Sequence, residues 1–469
     1  MFQGGLLFAA SAAEAAHHVA PWITYLFTAI LAAMVAALAF EEKLHAKKSI
    51  IVGAFAGICL ITATLLHLLT FGKVQLPDHH GIDMPIYIPA IDWEVITIIL
   101  GASLFVEVTS RSGLFTWMAI KLTKKTGGDP WKLLLGYGIL TVVFSALLNN
   151  VTAMIIVGSL TTVSLKKLNR NDLLLGFLVV EGLLTNVGGL LTLISSVPNI
   201  IVGNTAGIPF VKFFLVAAPY VVIATAATLF MGKWKFGISA LTNEADRKTA
   251  RDLVESFDEN EGIPSAKFFW FSVAALVAFI GCLAGQSALP WELDELKMGF
   301  VALFFAGVVL IAYKHEVDKF YSAIDWDLLA FFAALFVVIN VMEHALVLDL
   351  IGDGIAAMLR LPEKLATGVL LATAAVASSV TDNIPLAAML AKVLAARSTP
   401  TESPLWWCVI LGSNLGGNIT PIGSASTVVA MTIIAREKLP LNFVGFVLVA
   451  VPFALMQIAL AIVYVLVML

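Results

Sequence analysis

Over its 469 residues the chain is 60% hydrophobic and 13% charged, with a net charge of -4. Many windows run about 20 residues with hardly a charge, the length that crosses a bilayer, and no soluble protein of this size needs such a balance. The composition fits an all-α polytopic membrane protein. Cys59, Cys282 and Cys408 are scattered, with no pairing or metal spacing, and read as buried structural thiols.

The run Gly4 to Ala12 is short, apolar and followed by small residues; it is a signal segment without a basic n-region, or a loose terminus. Residues 1–91 otherwise supply N-terminal scaffold helices, Trp22 to Phe40 and Ile50 to Phe71. They are followed by a polar loop whose His79-His80 pair is too little for a metal site. Residues 92–231 form a unit with one span, an interfacial stretch from Arg111 to Lys125, a hairpin near 131–165 and a broken helix near 173–206. In the hairpin, two apolar limbs of about 15 residues meet at Asn149-Asn150. Each is shorter than the ~20 residues needed to cross, so a re-entrant turn is expected. Residues 232–267 are a hydrophilic cytoplasmic linker, 268–322 further scaffold helices, and 323–469 a second unit. That second unit holds a hairpin near 365–397 and a broken helix near 405–436.

The second unit repeats the first. Ala90-Ile91-Asp92-Trp93-Glu94 recurs as Ala323-Ile324-Asp325-Trp326-Asp327, and Asn149-Asn150 as Asp382-Asn383, both 233 residues later. Thr185-Asn186-Val187-Gly188-Gly189 recurs as Ser413-Asn414-Leu415-Gly416-Gly417 after 228. Five crossings separate the repeat starts, so the repeats are inverted. The basic loops, Lys43/Lys47/Lys48, Lys121/Lys124/Lys125, Lys166/Lys167/Arg170, the Lys233 linker, Lys314/Lys319 and Arg436/Lys438, then share one side, the cytoplasm. Both termini are expected outside, in a cell (inner) membrane.

Lipid cannot satisfy freed backbone groups, so polar breaks inside apolar segments persist only within protein or against a water-filled cavity. Matched breaks in two halves point to a transporter's binding site. The expected solute-binding set is Asn149, Asn150, Thr152, Asn186, Ser195, Ser196, Asn199, Asn383, Asn414, Asn418, Thr420, Ser424 and Ser426. These amides and hydroxyls suit a small oxygen-bearing solute, inorganic or organic. Asp382 and Glu181 lie deep in apolar sequence and are the expected seats of the coupling ion, a proton or sodium. Low dielectric disfavours a charged carboxyl, which lets such a group take up and release a proton. Unwound carbonyls near Asp382 suit a sodium ion; no other metal and no cofactor is expected. Gly412 to Asn418 lacks the Lys-Ser/Thr of a phosphate loop, so the driving force is an ion gradient or an ATPase partner. No feature suggests catalysis or a nucleic-acid partner; the lipid bilayer is the surrounding phase.

These motifs resemble the ion transporter superfamily, in the group joining arsenite permeases, D-type sodium/proton antiporters and the P protein. The matches are Leu148-Asn149-Asn150-Val151-Thr152, Glu181 with Thr185 to Gly189, Val197-Pro198-Asn199, Asp382-Asn383-Ile384-Pro385, and Leu415 to Asn418 with Ile422-Gly423-Ser424. The resemblance implies inverted repeats, a site between hairpin tips and broken helices, elevator-type motion and, in related members, homodimers. P-protein-like members carry Asp where Asn149 stands and Gly-Asp-Pro-Pro-Asn where Ser195 to Asn199 stand. Losing two negative charges moves the expectation toward a neutral or anionic solute with one coupling ion. Proton-coupled efflux of arsenite or antimonite leads; a sodium/proton antiporter and a sodium-coupled carboxylate (citrate-like) symporter are the alternatives.

Overall fold

The computed structural model describes residues 19–69, 73–75, 81–260, 262–286 and 293–468. The apolar run before Ala12 and the His79-His80 pair lie outside them.

The helices are α1 (Pro21–Ala39), α2 (Lys48–Leu65), α3 (Trp93–Arg111), α4 (Leu114–Thr126), α5 (Pro130–Leu147), α6 (Asn150–Lys167), α7 (Leu174–Gly188), α8 (Val197–Ala206), α9 (Phe210–Lys235) and α10 (Glu244–Glu255). They continue as α11 (Ala266–Gly285), α12 (Lys297–Ala312), α13 (Trp326–His344), α14 (Val347–Leu359), α15 (Glu363–Val380), α16 (Asn383–Ala396), α17 (Pro404–Gly416), α18 (Ala425–Arg436) and α19 (Phe443–Met468). A two-stranded antiparallel ribbon, β1 (Lys73–Gln75) with β2 (Gly81–Asp83), pairs Val74 with Ile82. Ten helices among the described residues are long and apolar enough to cross a membrane.

The chain divides into two compact units, residues 1–93 with 325–355, and residues 94–324 with 356–469. In the first, α13 packs on α2, and the Asp327 carboxylate accepts a hydrogen bond from the Ser49 hydroxyl in the first turn of α2. In the second, α3 packs against α11 and α12: the Phe105 ring meets Phe279 at a tilt and Phe305 edge to face, and Gly101 lies against Ala302. There Glu94 Oε1 accepts the Gly299 amide, 2.9 Å away, in the first turn of α12. Glu94 and Asp327 are counterparts 233 residues apart, and each anchors the start of a helix from the other half of the sequence.

Helix boundaries carry the same relation. Shifting α3, α5 and α9 by 233 residues gives the bounds of α13, α15 and α19, and Pro219 inside α9 falls on Pro452 inside α19. The offset drops by five to 228 at α17, because α16 is four residues shorter than α6 and one more residue is lost between α16 and the end of α17.

Two expectations need correction. The limbs α5 and α6 are 18 residues each, not about 15, so α5 is itself long enough to cross, as is α15. Length therefore does not distinguish a re-entrant hairpin from two spans. Within the expected scaffold helices of 268–322, the stretch from Met298 to Tyr313 is no plain span: Lys297–Ala312 is 16 residues long and turns by 92° into the short helix at 314–322. The interfacial stretch forms α4, burying Leu114, Phe115, Ala119 and Thr123 on one face. The linker holds one amphipathic helix, α10.

Candidate functional site

Every group in the site belongs to the larger unit. At Leu148 the backbone turns extended, and Asn149 caps α6 by accepting the Thr152 amide at 2.8 Å. Short polar side chains do this because the first helical amides have no partner within the helix. Thr381 and Asp382 reproduce the turn, with Asp382 accepting the Ile384 amide at 3.1 Å. The Tyr137 hydroxyl in α5 lies 2.8 Å from the Ser164 hydroxyl in α6. A straight helix would hold those residues about 40 Å apart, so the chain doubles back at Asn149.

The breaks follow the same plan. Helix α7 stops at Gly188 and α8 starts at Val197; α17 stops at Gly416 and α18 starts at Ala425. Both glycines sit where a hairpin presses on them: a Cβ on Gly188 would lie 2.7 Å from Val142 Cα, and one on Gly416 would lie 2.2 Å from the Ala375 carbonyl oxygen. Ser145 Oγ donates to the Thr185 carbonyl at 2.6 Å, and Ser378 Oγ to the Ser413 carbonyl at 2.5 Å. Thr192 Oγ1 donates to the Ala146 carbonyl at 2.6 Å, and Thr420 Oγ1 to the Ser379 carbonyl at 2.7 Å. Each pair joins positions that match by the sequence offsets.

Between the breaks the bonds cross. Ser196 Oγ donates to Asn414 Oδ1 at 2.6 Å, and its counterpart Ser424 Oγ donates to Asn186 Oδ1 at 2.9 Å, Asn186 being the counterpart of Asn414. Residue i meets j of the other half while j meets i, the reciprocity of a two-fold contact. Asn186 Oδ1 also accepts from Asn150 Nδ2 and Ser426 Oγ, each at 3.2 Å, and its Nδ2 donates to Asn418 Oδ1 at 2.8 Å. Asn414 Nδ2 donates to Asn199 Oδ1 at 3.0 Å. Asn186, Asn199, Asn414, Asn418 and Ser426 are fully buried, which is tolerable only because each is bonded.

Ser196 and Ser424 are the N-cap residues of α8 and α18, yet neither side chain caps its own helix, since both hydroxyls reach across to an amide. The first-turn amides of α8 and α18 therefore carry their partial positive charge into the cluster without a capping side chain. No Lys or Arg belongs to the cluster.

Of the expected solute-binding residues, Asn150, Asn186, Ser196, Asn199, Asn414, Asn418, Ser424 and Ser426 come together. Ser195 turns inward, donating to the Gly189 and Thr192 carbonyls, which Asn199 Nδ2 also bonds. These unwound carbonyls are thus bonded by side chains. Asn149 is exposed and only caps α6, and the Thr152 backbone amide serves that cap. Asn383 is half-buried and has no counterpart of the Asn150–Asn186 bond. Thr420 holds the second hairpin through Ser379, and half-buried Asp382 caps α16. Glu181 lies apart, buried one turn before Thr185, with Oε1 accepting from Thr161 Oγ1 at 2.6 Å.

Sequence reasoning missed Gln457 and Thr228. Gln457 Oε1 accepts from Asn418 Nδ2 at 2.8 Å, and Gln457 Nε2 donates to Thr228 Oγ1 at 2.9 Å. A lone Gln in an otherwise apolar 26-residue helix was the available signal. A cavity of about 410 Å³ lies beside the first tip, lined by Val143, Leu147, Thr192, Phe214 and Phe279 among others. Its wall is apolar, and it is not the amide cluster. Among the described residues no three His, Cys, Asp or Glu side chains gather as a metal site.

A bundle with ten membrane-length apolar helices and matched polar breaks defines a multi-pass membrane transporter. The profile of the CitMHS citrate transporter family matches residues 35–412, and the chain belongs to that family, within the ion transporter superfamily. An uncharacterized transporter of Mycobacterium tuberculosis is 31% identical over 386 residues, covering 80% of this chain and 86% of that protein. The human P protein is 24% identical over 456 residues, covering 80% of this chain and 54% of its own length. Among solved structures, the YdaH transporter of Alcanivorax borkumensis aligns with a TM-score of 0.58 at 15% identity, covering 90% of this chain and 98% of its own. MtrF of Neisseria gonorrhoeae, described as one of a class of antimetabolite efflux pumps, aligns at 0.54 with 14% identity, covering 90% and 95%. These two likenesses concern the fold.

Proposed function

We propose that the protein is a proton-coupled secondary transporter of a small oxygen-rich solute, held where the two polar breaks meet. The observation that carries this reading is the crossed pair Ser196–Asn414 and Ser424–Asn186. It leaves two helix N-termini without side-chain caps beside a cluster of amides and hydroxyls. Such ends favour anionic oxygen, and the family's description as citrate transporters puts a citrate-like carboxylate first. Arsenite or antimonite is the second reading, favoured by the lack of any Lys or Arg in the cluster, because a neutral hydroxylated solute needs no counter-charge. The proton is carried by Asp382 and Glu181, with sodium at Asp382 as the alternative ion.

The two halves act as inverted repeats in a cell (inner) membrane, with both termini outside. The recurring helix offsets and the crossed bonds support this. The hairpins and broken helices then move together against the scaffold in an elevator-type step, in a chain that assembles as a homodimer. Proteoliposomes challenged in turn with citrate, arsenite and sodium, with internal pH recorded, test the reading. We expect citrate to move protons with it; flux of every solute without any pH change would refute proton coupling.

A further inference from the structure

Glu181 is fully buried, and its Oε2 has no hydrogen-bond partner among the described residues. It sits seven residues beyond Leu174, about 10 Å along α7 from the end that follows the basic loop at Arg170, and between that end and the amide cluster. Next to it runs a file of hydroxyls. Thr161 and Ser164 lie one turn apart on α6. The Tyr137 hydroxyl is 2.8 Å from Ser164 Oγ and 2.7 Å from Thr123 Oγ1 on α4. All four side chains are buried. Thr123 is three residues from the end of α4, beside exposed Lys125 and the Lys124–Glu259 ion pair.

Proton counting orients the file. Thr123 Oγ1 donates its only proton to the Ala119 carbonyl at 2.8 Å, so Tyr137 donates to Thr123 and Ser164 donates to Tyr137. Thr161 donates to Glu181. An apolar core has no need of such a series, since the Ser and Thr hydroxyls could each bond their own helix backbone and a Phe would fill the place of Tyr137. Tyr137 is the titratable side chain facing Glu181 from the helices packed on α7. Helix α6 presents Thr161, α18 presents Ala430 beside Gly182, and α9 presents Gly232 beside Val180. Asn418 and Gln457 bring only amides to that helix, and Asp172 in the turn before α7 is exposed and paired with Arg170.

The geometry points to a proton path in which Thr123, Tyr137, Ser164 and Thr161 connect Glu181 with the basic, cytoplasmic face. This rests on the proton-coupled reading above and assigns Glu181 its route. The path requires one water to bridge the single helical turn between Ser164 and Thr161. For uptake the Thr123, Tyr137 and Ser164 hydroxyls first rotate so that each donates toward Glu181, Thr123 releasing the Ala119 carbonyl; each O–H bond then breaks as the next forms, and the net change is one proton lost from cytoplasmic water and one gained on the Glu181 carboxylate. Thr123, Tyr137, Ser164 and Thr161 are positioning residues that regain their own protons.

The test needs no transported solute. The protein in nanodiscs is subjected to a pH jump while the infrared carboxylic-acid C=O band is followed, with Glu181's share assigned by its loss in Glu181→Gln. Tyr137→Phe and Thr161→Val are expected to slow the appearance of that band by about tenfold or more without changing its final size, and Thr161→Ser to restore the rate. Unchanged rates in both variants would overturn the path, as would a band that Glu181→Gln leaves intact. If Tyr137→Phe does not fold, the Thr161→Val and Thr161→Ser pair decides alone. Because transport is measured separately in proteoliposomes, proton coupling can stand while this path fails.

Discussion

Ser196 and Ser424 occupy matching positions, so symmetry alone predicts equal effects of Ser196→Ala and Ser424→Ala. The bonds predict otherwise. Asn414 Oδ1 accepts from Ser196 alone, and Asn414 is fully buried, so Ser196→Ala strands an acceptor that water cannot reach. That costs about 1–3 kcal/mol. Asn186 Oδ1 has three donors, and after Ser424→Ala it keeps Asn150 Nδ2 and Ser426 Oγ, each at 3.2 Å. The loss there is one neutral bond, about 0.5–1.5 kcal/mol, in line with the modest worth of hydrogen bonds inside membranes. Reversible unfolding in mixed micelles, compared for the two variants, reads the difference. Ser196→Ala should be the more destabilised by about twofold, and in an Asn414→Ala background it should cost little more. An equal or larger loss for Ser424→Ala would refute the bond count.

Asp382→Asn keeps an N-cap of equal quality, so stability should stay within about 0.5 kcal/mol while the pH dependence of transport disappears; retained pH dependence argues against Asp382 as a proton carrier. Gly188→Ala and Gly416→Ala both force a Cβ into a hairpin and should each destabilise by about 1–3 kcal/mol. Gly281→Ala, with nothing within 4 Å, should instead stabilise its helix by up to about 1 kcal/mol, as thermal unfolding in detergent will show. Gln457→Leu removes one bond each from Asn418 Nδ2 and Thr228 Oγ1, which keep the Leu183 and Ala224 carbonyls, and should cost about 1–3 kcal/mol, whereas Gln457→Glu should retain most of the stability only at acidic pH, where its carboxyl is protonated.

The turns were legible because Asn, Asp, Gly and Pro interrupt apolar runs for specific backbone reasons. Asn149 and Asp382 are caps, and Gly188 and Gly416 admit a neighbouring helix. The reciprocal partners were not legible. Asn186 and Ser424 lie 238 residues apart, and pattern reasoning places each at a break without saying which break it faces. Ser145 and Ser378 were passed over because a serine in an apolar helix ordinarily bonds its own backbone, whereas these two bond a neighbouring helix. The pairing of α3 with α12 and of α13 with α2 was hidden for another reason. The glutamate and aspartate that hold those helices look like ordinary first-turn acids.

Solute bound where the two tips approach the crossed breaks shields those tips from reagents in water. Single cysteines at positions 149 and 383, in a variant lacking Cys59, Cys282 and Cys408, can be labelled with a membrane-impermeant thiol reagent in the presence and absence of the transported solute. Protection of both positions by the same solute, and by no unrelated one, is the predicted result. Labelling at both sites that no transported solute alters would contradict the account.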